Sequence, residues 1–258
     1  MTLREAIANT EKPIALVNGA TGGIGLAIVK ALLRQPHWAA IFALSRSAQS
    51  NNALLALADL DKRLCVLSTD LSNSQDQENL GRNIEAVDGQ LVYICNCVGM
   101  LHEKNIFPEK RLEDCTQQAM HSAFNTNALI PLFLIQALVN YIPRNIPSLF
   151  VSFSARVGSI SDNRLGGWYA YRTSKAAHNM LIKTLSVELS RRRPHLTIIA
   201  YHPGTADSAL SRPFQKNVPS EKLFSCDQAA SYFLSVTDKL TEQDTGSFFA
   251  WDGSTIPW

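Results

Sequence analysis

Val17-Asn18-Gly19-Ala20-Thr21-Gly22-Gly23-Ile24-Gly25 sets a glycine-rich turn between an apolar run, Ile14–Val17, and an amphipathic stretch, Ile24–Leu33. Glycines permit a tight reversal there and let backbone N–H groups approach a phosphate closely. The start of the following helix adds the positive end of a dipole. Glycines alone are a weak signal. Their place after a first strand and before a first helix is the context that makes the turn a phosphate cradle, lined by Gly19, Thr21, Gly22, Gly23, Ile24 and Gly25.

Outward from the turn, apolar runs alternate with helical patterns. The runs are Ile14–Val17, Ile41–Leu44, Leu64–Leu67, Leu91–Cys95, Leu149–Phe153, Leu196–Ala200 and Phe248–Trp251. Most lack polar alternation, so both faces are expected to be buried, as in a parallel sheet covered by helices. The helical patterns are Ile24–Leu33, Gln77–Ala86, Leu112–Val139, Ala170–Leu189 and Asp227–Leu240. This alternation predicts an α/β, doubly wound, Rossmann-type sheet of about seven parallel strands with helices on both faces, forming a single domain over residues 1–258. Residues 205–225 show the least periodicity. They follow the sixth strand at the ligand-binding edge of such sheets and are read as a substrate lid, a plain surface loop being the alternative.

The totals narrow the function. Hydrophobic residues make up 46% of the 258, charged residues 18%, and the formal charge is +2, so no clustered basic face for nucleic acid or membrane is expected. Arg191, Arg192 and Arg193 are read as a helix end, where cations suit the dipole. The five cysteines are scattered apart from Cys95 and Cys97. No His or Cys cluster completes a metal site around that pair, so they read as reduced core thiols of a cytosolic protein. Residues 1–13 lack the apolar core of a signal peptide, and Ala128–Val139 is shorter than the roughly 20 residues of a membrane span. A soluble, cytoplasmic protein is expected.

At the second strand's end, Leu44-Ser45-Arg46-Ser47 offers no carboxylate for the ribose hydroxyl that NAD presents. Arg46 suits a 2′-phosphate instead, and Ser45 can add a hydrogen bond, which points to NADP. Further on, Tyr171 and Lys175 are four residues apart and share one helix face. A proton donor for a reduced carbonyl oxygen needs a phenol more acidic than a free tyrosine, and a neighbouring ammonium is expected to supply that shift. Pro131 lies four residues after Asn127 and cannot bond the Asn127 carbonyl, so a kink is predicted there, with the freed carbonyl taken up by water. Asn125 is the rival side chain.

The turn, Arg46 and the Tyr171/Lys175 pair together resemble the short-chain dehydrogenase/reductase family. Gly19, Gly23 and Gly25 fit the spacing of its shorter branch, and Gly19, Gly22 and Gly25 that of its extended branch; the chain's length favours the shorter. The resemblance implies several roles. Asp70-Leu71 matches the family's adenine-side pair. Asn96 and Gly99 are retained from its Asn-Asn-Ala-Gly, while Cys97 and Val98 depart from it. Lys175 would also bind the nicotinamide ribose, and Asn127 would carry a water relay. Pro203, Gly204 and Thr205 would lie under the nicotinamide, with Ser208 placed to contact it. The family's serine falls three residues before Gly158, on Ala155. Ser154 is one residue early and would need a bulge to turn inward, and Ser159 is the other candidate. Asn96 to His102, Ser154 to Lys175, and Phe249 to Gly253 with the final Ile256-Pro257-Trp258 are similar to the C-factor and sniffer-like branch. Family members often pair two helices across a twofold axis, implying a homodimer or homotetramer.

Two readings follow from these residues. In the first, the chain is an NADPH-dependent oxidoreductase acting on a small carbonyl or alcohol, with Tyr171 as general acid/base. In the second, it is a nucleotide-binding sensor that keeps the fold without turnover, a reading that Ala155 motivates.

Overall fold

The chain's structure, a computed structural model, describes residues 2–258. Seven strands form one all-parallel sheet: β1 (Pro13–Asn18), β2 (Ala40–Ser45), β3 (Leu64–Ser68), β4 (Gln90–Asn96), β5 (Ser148–Phe153), β6 (Leu196–His202) and, after a separate pair described below, β9 (Phe248–Ala250). Their order is β3-β2-β1-β4-β5-β6-β9, so the winding reverses between β1 and β4. At such a reversal the connections leave the strand ends in opposite directions and open a crevice.

Alternation within each strand feeds two cores. Ala15, Val17, Val151 and Phe153 face α2 (Gly23–Leu33) and α8 (Cys226–Thr237), joined there by Leu3 and Ile7 of α1 (Leu3–Ala8). Ile14, Leu16, Phe150 and Ile198 face α4 (Ser74–Glu85), α6 (Ile130–Leu138) and α7 (Tyr169–Arg192). Both faces of the central strands are therefore sealed, and each fully buried large apolar side chain contributes roughly 1.5–3 kcal/mol.

Two helices were not foreseen. The first is α1, whose Thr2/Glu5 capping box satisfies the free N–H groups of its start. The second is α3 (Asn52–Leu60), capped by Asn51 and burying only Leu54 fully. The helical stretch Leu112–Val139 is broken at the predicted kink and again near its start. It is a short 3₁₀ turn at Leu112–Asp114, then α5 (Gln117–Phe124), a π-helical turn at Asn125–Leu129, and α6. Pro131 lacks the N–H that an α-helical ladder needs, and the wider π turn, with Ile130 N–H donating to Asn125 O, absorbs the break. Residues 205–225 are not featureless: β7 (Thr205–Ala206) pairs in parallel with β8 (Leu223–Phe224), and a 3₁₀ stretch, Arg212–Asn217, lies between them.

Candidate active site

The glycine turn closes on hydrogen bonds from Gly19 and Ala20 N–H to Leu44 O, both 2.9 Å, and from Gly22 N–H to Gly19 O, 3.0 Å. Gly19 has φ +82°, a left-handed value that other residues rarely hold. A Cβ on Gly25 would drive into Gly19 O. Among the described residues no protein acceptor reaches the N–H groups of Gly23, Ile24 or Gly25, the first turn of α2. They face a cleft, which is the arrangement that holds an anion.

That cleft has two adjoining halves of about 250 and 310 Å³, both bounded by Gly19, Gly22, Cys97, Val98 and Gly99. Thr21, Ser45, Arg46, Asp70 and Leu71 line one half. Arg46 is exposed and makes no ion pair among the described residues, so its guanidinium is free for a ligand. Asp70 accepts from Ser72 N–H and Oγ–H, 3.0 and 2.7 Å, which holds its carboxylate below the ordinary range. Gly23, Ile24, Gly25, Ser154, Tyr171, Lys175, Pro203 and Ser208 line the other half.

The expected cofactor residues Asn96, Gly204 and Thr205 line neither half, and Asn127, expected as the relay residue, stands behind the cleft wall beside Gly99 and Lys175. Asn96 is fully buried between Asn18 and Ser152. Asn127 is also fully buried, whereas its rival Asn125 lines the cleft. Gly204 packs under the rings of Phe224 and Trp251, and Thr205 is spent in β7.

On the second half's wall, α7 carries Tyr171 and Lys175. Lys175 is 2% exposed, and its Nζ donates to Phe153 O at 2.8 Å. With no carboxylate beside it, burial pulls its pKa down to about 7. Tyr171 is half-buried, and burial raises its phenol above the usual value near 10. The expectation that Lys175 lowers the tyrosine is therefore not met in the chain by itself. Desolvation weakens both charged forms, the phenolate as well as the ammonium.

Ser154 needs no bulge. β5 and β6 stay in register from Ser148↔Leu196 to Phe153↔Tyr201, and plain alternation turns Ser154, like Ser152, toward α7. Its Oγ donates to Asn179 Oδ1 at 2.6 Å. Ser159 is committed elsewhere, donating to Pro257 O at 2.5 Å.

Several supporting residues escaped the sequence reading. Asn127 Oδ1 accepts from Met100 N–H at 2.7 Å, and its Nδ2 donates to Met100 O and Ser174 Oγ, pinning the Gly99–Met100 loop beside Lys175. Below that, Asn18 Nδ2 donates to Asn96 Oδ1, and Asn96 Nδ2 to Ser152 Oγ, both at 2.9 Å. Ser152 Oγ and His178 Nε2 share a further hydrogen bond of 2.7 Å. Burial first, then Lys175, hold His178 neutral with a pKa of about 3. Asn179 follows Tyr171 and Lys175 at the same four-residue step, so the stripe was readable as one face. Gly158 is also required: a Cβ there would lie 2.7 Å from Lys175 Cβ.

At the helix start, Gly166, Gly167 and Trp168 are all left-handed, leaving no local cap. Glu109 replaces it, accepting Ala170 N–H at 3.1 Å with its carboxylate and Trp168 N–H at 2.6 Å with its carbonyl. Trp168 stands edge-on to Tyr171, and Phe214 lies between Trp168 and His102 at 5.3 and 5.7 Å between ring centres. His102 Nε2 donates to Ala209 O at 3.2 Å, linking the loop after β4 to residues 205–225. Phe214 thus closes an aromatic rim, while Phe224 packs away on Tyr232 and Trp251.

A family profile described as short chain dehydrogenase matches residues 13–219. An uncharacterized oxidoreductase of Schizosaccharomyces pombe is 26% identical, covering 98% of this chain and all of the relative. The C-signal of Myxococcus xanthus is 30% identical over 57% of this chain and 83% of its own. Among solved structures, the carbonyl reductase Sniffer of D. melanogaster is 26% identical with a TM-score of 0.83, covering 96% of this chain and 99% of its own. The NADPH-bound carbonyl reductase from chicken fatty liver, at 23% identity, shares the fold with a TM-score of 0.82 and 98% coverage of both chains.

Proposed function

We propose, on the premise that this chain belongs to the short-chain dehydrogenase family and is one of its oxidoreductases, that it reduces the carbonyl group of a small, largely apolar molecule with NADPH. The observation that carries the reading is one cleft with unpaired helix N–H groups and Arg46 in its two halves and Ser154, Tyr171 and Lys175 on one wall. Arg46 and Ser45 would hold a 2′-phosphate, and the first turn of α2 the pyrophosphate. Bound NADPH supplies the hydride.

The chain's own residues handle the oxygen. Tyr171 stays a neutral phenol, because burial disfavours its phenolate. It therefore donates its proton only to something as basic as the alkoxide formed when a carbonyl is reduced. Lys175, near pKa 7, can hold or release a proton around neutrality and so recharge the tyrosine. Ser154 supplies the hydrogen bond to the carbonyl once its hydroxyl leaves Asn179. Asn127 has its side chain engaged, so its part in a relay falls to the main-chain carbonyl. The rim of Trp168, Phe214 and His102 favours an apolar substrate.

One observation favours the sensor reading: Ser154 is turned to Asn179 rather than to the cleft. NADPH oxidation over a panel of aldehydes, ketones and quinones, with Tyr171→Phe in parallel, tests both. Turnover that drops about a hundredfold or more in the variant, with NADPH still bound, supports the reductase. A variant as active as the parent overturns the role of Tyr171. Silence of an NADPH-binding parent across the panel favours the sensor.

A further inference from the structure

Hydride transfer leaves one pair of thiols at the cleft's edge without a role. Cys97 lines both halves of the cleft. Cys95 stands two residues back, on the α2/α8 face of the sheet, and is fully buried. Their Sγ atoms are 3.4 Å apart. Cys97 lies one residue past β4 but keeps its pairing, its N–H donating to Asn18 O, so the strand's alternation carries on and sets both thiols on one face. Among the described residues no two other thiols are in contact: Cys226 donates to Asp207 O, and Cys115 reaches Arg111 O. Burial first, then Cys97, keep Cys95 in its thiol form.

The backbone at Cys97 is packed against the nucleotide turn. Cys97 N–H donates to Asn18 O at 2.9 Å. A Cβ on Gly19 would lie 3.2 Å from both Cys97 C and Val98 N. A displacement of the Cys97–Val98 peptide is therefore a displacement of the cofactor loop.

We propose that Cys95 and Cys97 are an oxidisable pair whose bridging closes the cofactor cleft. A peroxide oxidises the thiol of Cys97, the less buried of the two, to a sulfenic acid and leaves as water. The Cys95 sulfur then attacks the Cys97 sulfur; the S–S bond forms as the S–O bond breaks, and the hydroxyl leaves with the Cys95 proton as a second water. Two thiols and one peroxide thus give one disulfide and two waters. A disulfide bond is about 2.05 Å long, so the sulfurs close by roughly 1.4 Å. Cys95 is locked in the core, so Cys97 and Val98 move, against Gly19. NADPH in the cleft covers Cys97 and slows the reaction. The effect on binding rests on the NADPH reading above.

The full chain is treated with hydrogen peroxide, with and without NADP, and followed by intact mass, peptide mapping and NADPH titration. Expected are a loss of two hydrogens mapped to the peptide containing both cysteines, protection by NADP, and NADPH affinity lowered about tenfold or more and restored by dithiothreitol. Cys97→Ser, compared with itself before and after peroxide, keeps its affinity. Cys97 found only as a thiol or a higher oxide overturns the pair. A mapped bridge with unchanged NADPH affinity overturns the closure. A reduced chain that forms the bridge but never binds NADPH refutes the cofactor assignment and leaves the thiol chemistry standing.

Discussion

Replacing Lys175 by methionine removes an ammonium group that the fold buries without a counter-ion. The side chain is 2% exposed, and its single hydrogen bond goes to Phe153 O. Burial takes its pKa from 10.5 to about 7. Such a displacement weighs roughly 5 kcal/mol against the charged form. The sign follows from proton counting. Between about pH 7 and 10.5 the unfolded chain keeps a proton that the folded chain has released, so this residue makes stability rise with pH across that window. Its full penalty is present below about pH 7. Lys175→Met escapes the penalty but leaves Phe153 O without its donor, at a cost of about 1–3 kcal/mol. The variant is therefore expected to be more stable than the parent by about 2–4 kcal/mol near pH 6, with the advantage gone near pH 10. Urea unfolding followed by the fluorescence of the four tryptophans, without nucleotide, measures the difference. A difference that does not change with pH, or a variant less stable near pH 6, would refute the reasoning. On the proposed function, carbonyl reduction should be lost in the same variant, and this face of α7 would then trade stability for a group that titrates near neutrality.

Arg46→Ala should weaken NADPH about thirtyfold, roughly 2 kcal/mol, and barely affect NADH; equal losses in paired binding titrations would show that Arg46 does not select the phosphate. Gly25→Ala should cost several kcal/mol and the nucleotide site together, because its methyl collides with Gly19 O; an unchanged urea midpoint would contradict the packing of the turn. His178→Leu should lower stability by about 1–3 kcal/mol by leaving the buried Ser152 hydroxyl without its imidazole partner, and a variant of parental stability would break the Asn18-Asn96-Ser152-His178 chain as described.

The sheet was legible because both faces of its strands are covered, so each core strand reads as an unbroken apolar run between turn residues. The glycine turn was legible because backbone geometry allows few residues there. The cleft residues that depend on side-chain direction were harder. Ser154 looked misplaced when counted from Gly158, since counting back through a 3₁₀ turn, Arg156–Gly158, does not preserve strand alternation. The Leu112–Val139 helix hid its break because apolar periodicity continues across it, and only Pro131 signalled trouble. Asn96 and Asn127 carry residue types suited to ligands, yet both are consumed by buried hydrogen bonds that no local pattern announces. Tyr171 and Lys175 share a cleft wall as their spacing suggests, but their protonation depends on tertiary burial, which in the chain by itself pushes the tyrosine opposite to the expected direction.

The π turn at Asn125–Leu129 makes the middle of the chain one residue longer than an unbroken helix would need. Loss of a single codon there would restore a regular ladder locally. Each residue of an α-helix turns the chain by about 100°, and each residue of the wider turn by less, so the added residue is absorbed with little net rotation of the two flanks. That is how Leu134, Ile135 and Leu138 stay in the core while Asn127 stays on Met100. A deletion would keep those faces but set the Pro131 ring against the carbonyl one regular turn earlier, the clash that the wide turn relieves. The segment is therefore less tolerant of length changes than of substitutions, and a gene encoding this protein is expected to keep its count of codons through those five positions even where it changes their letters.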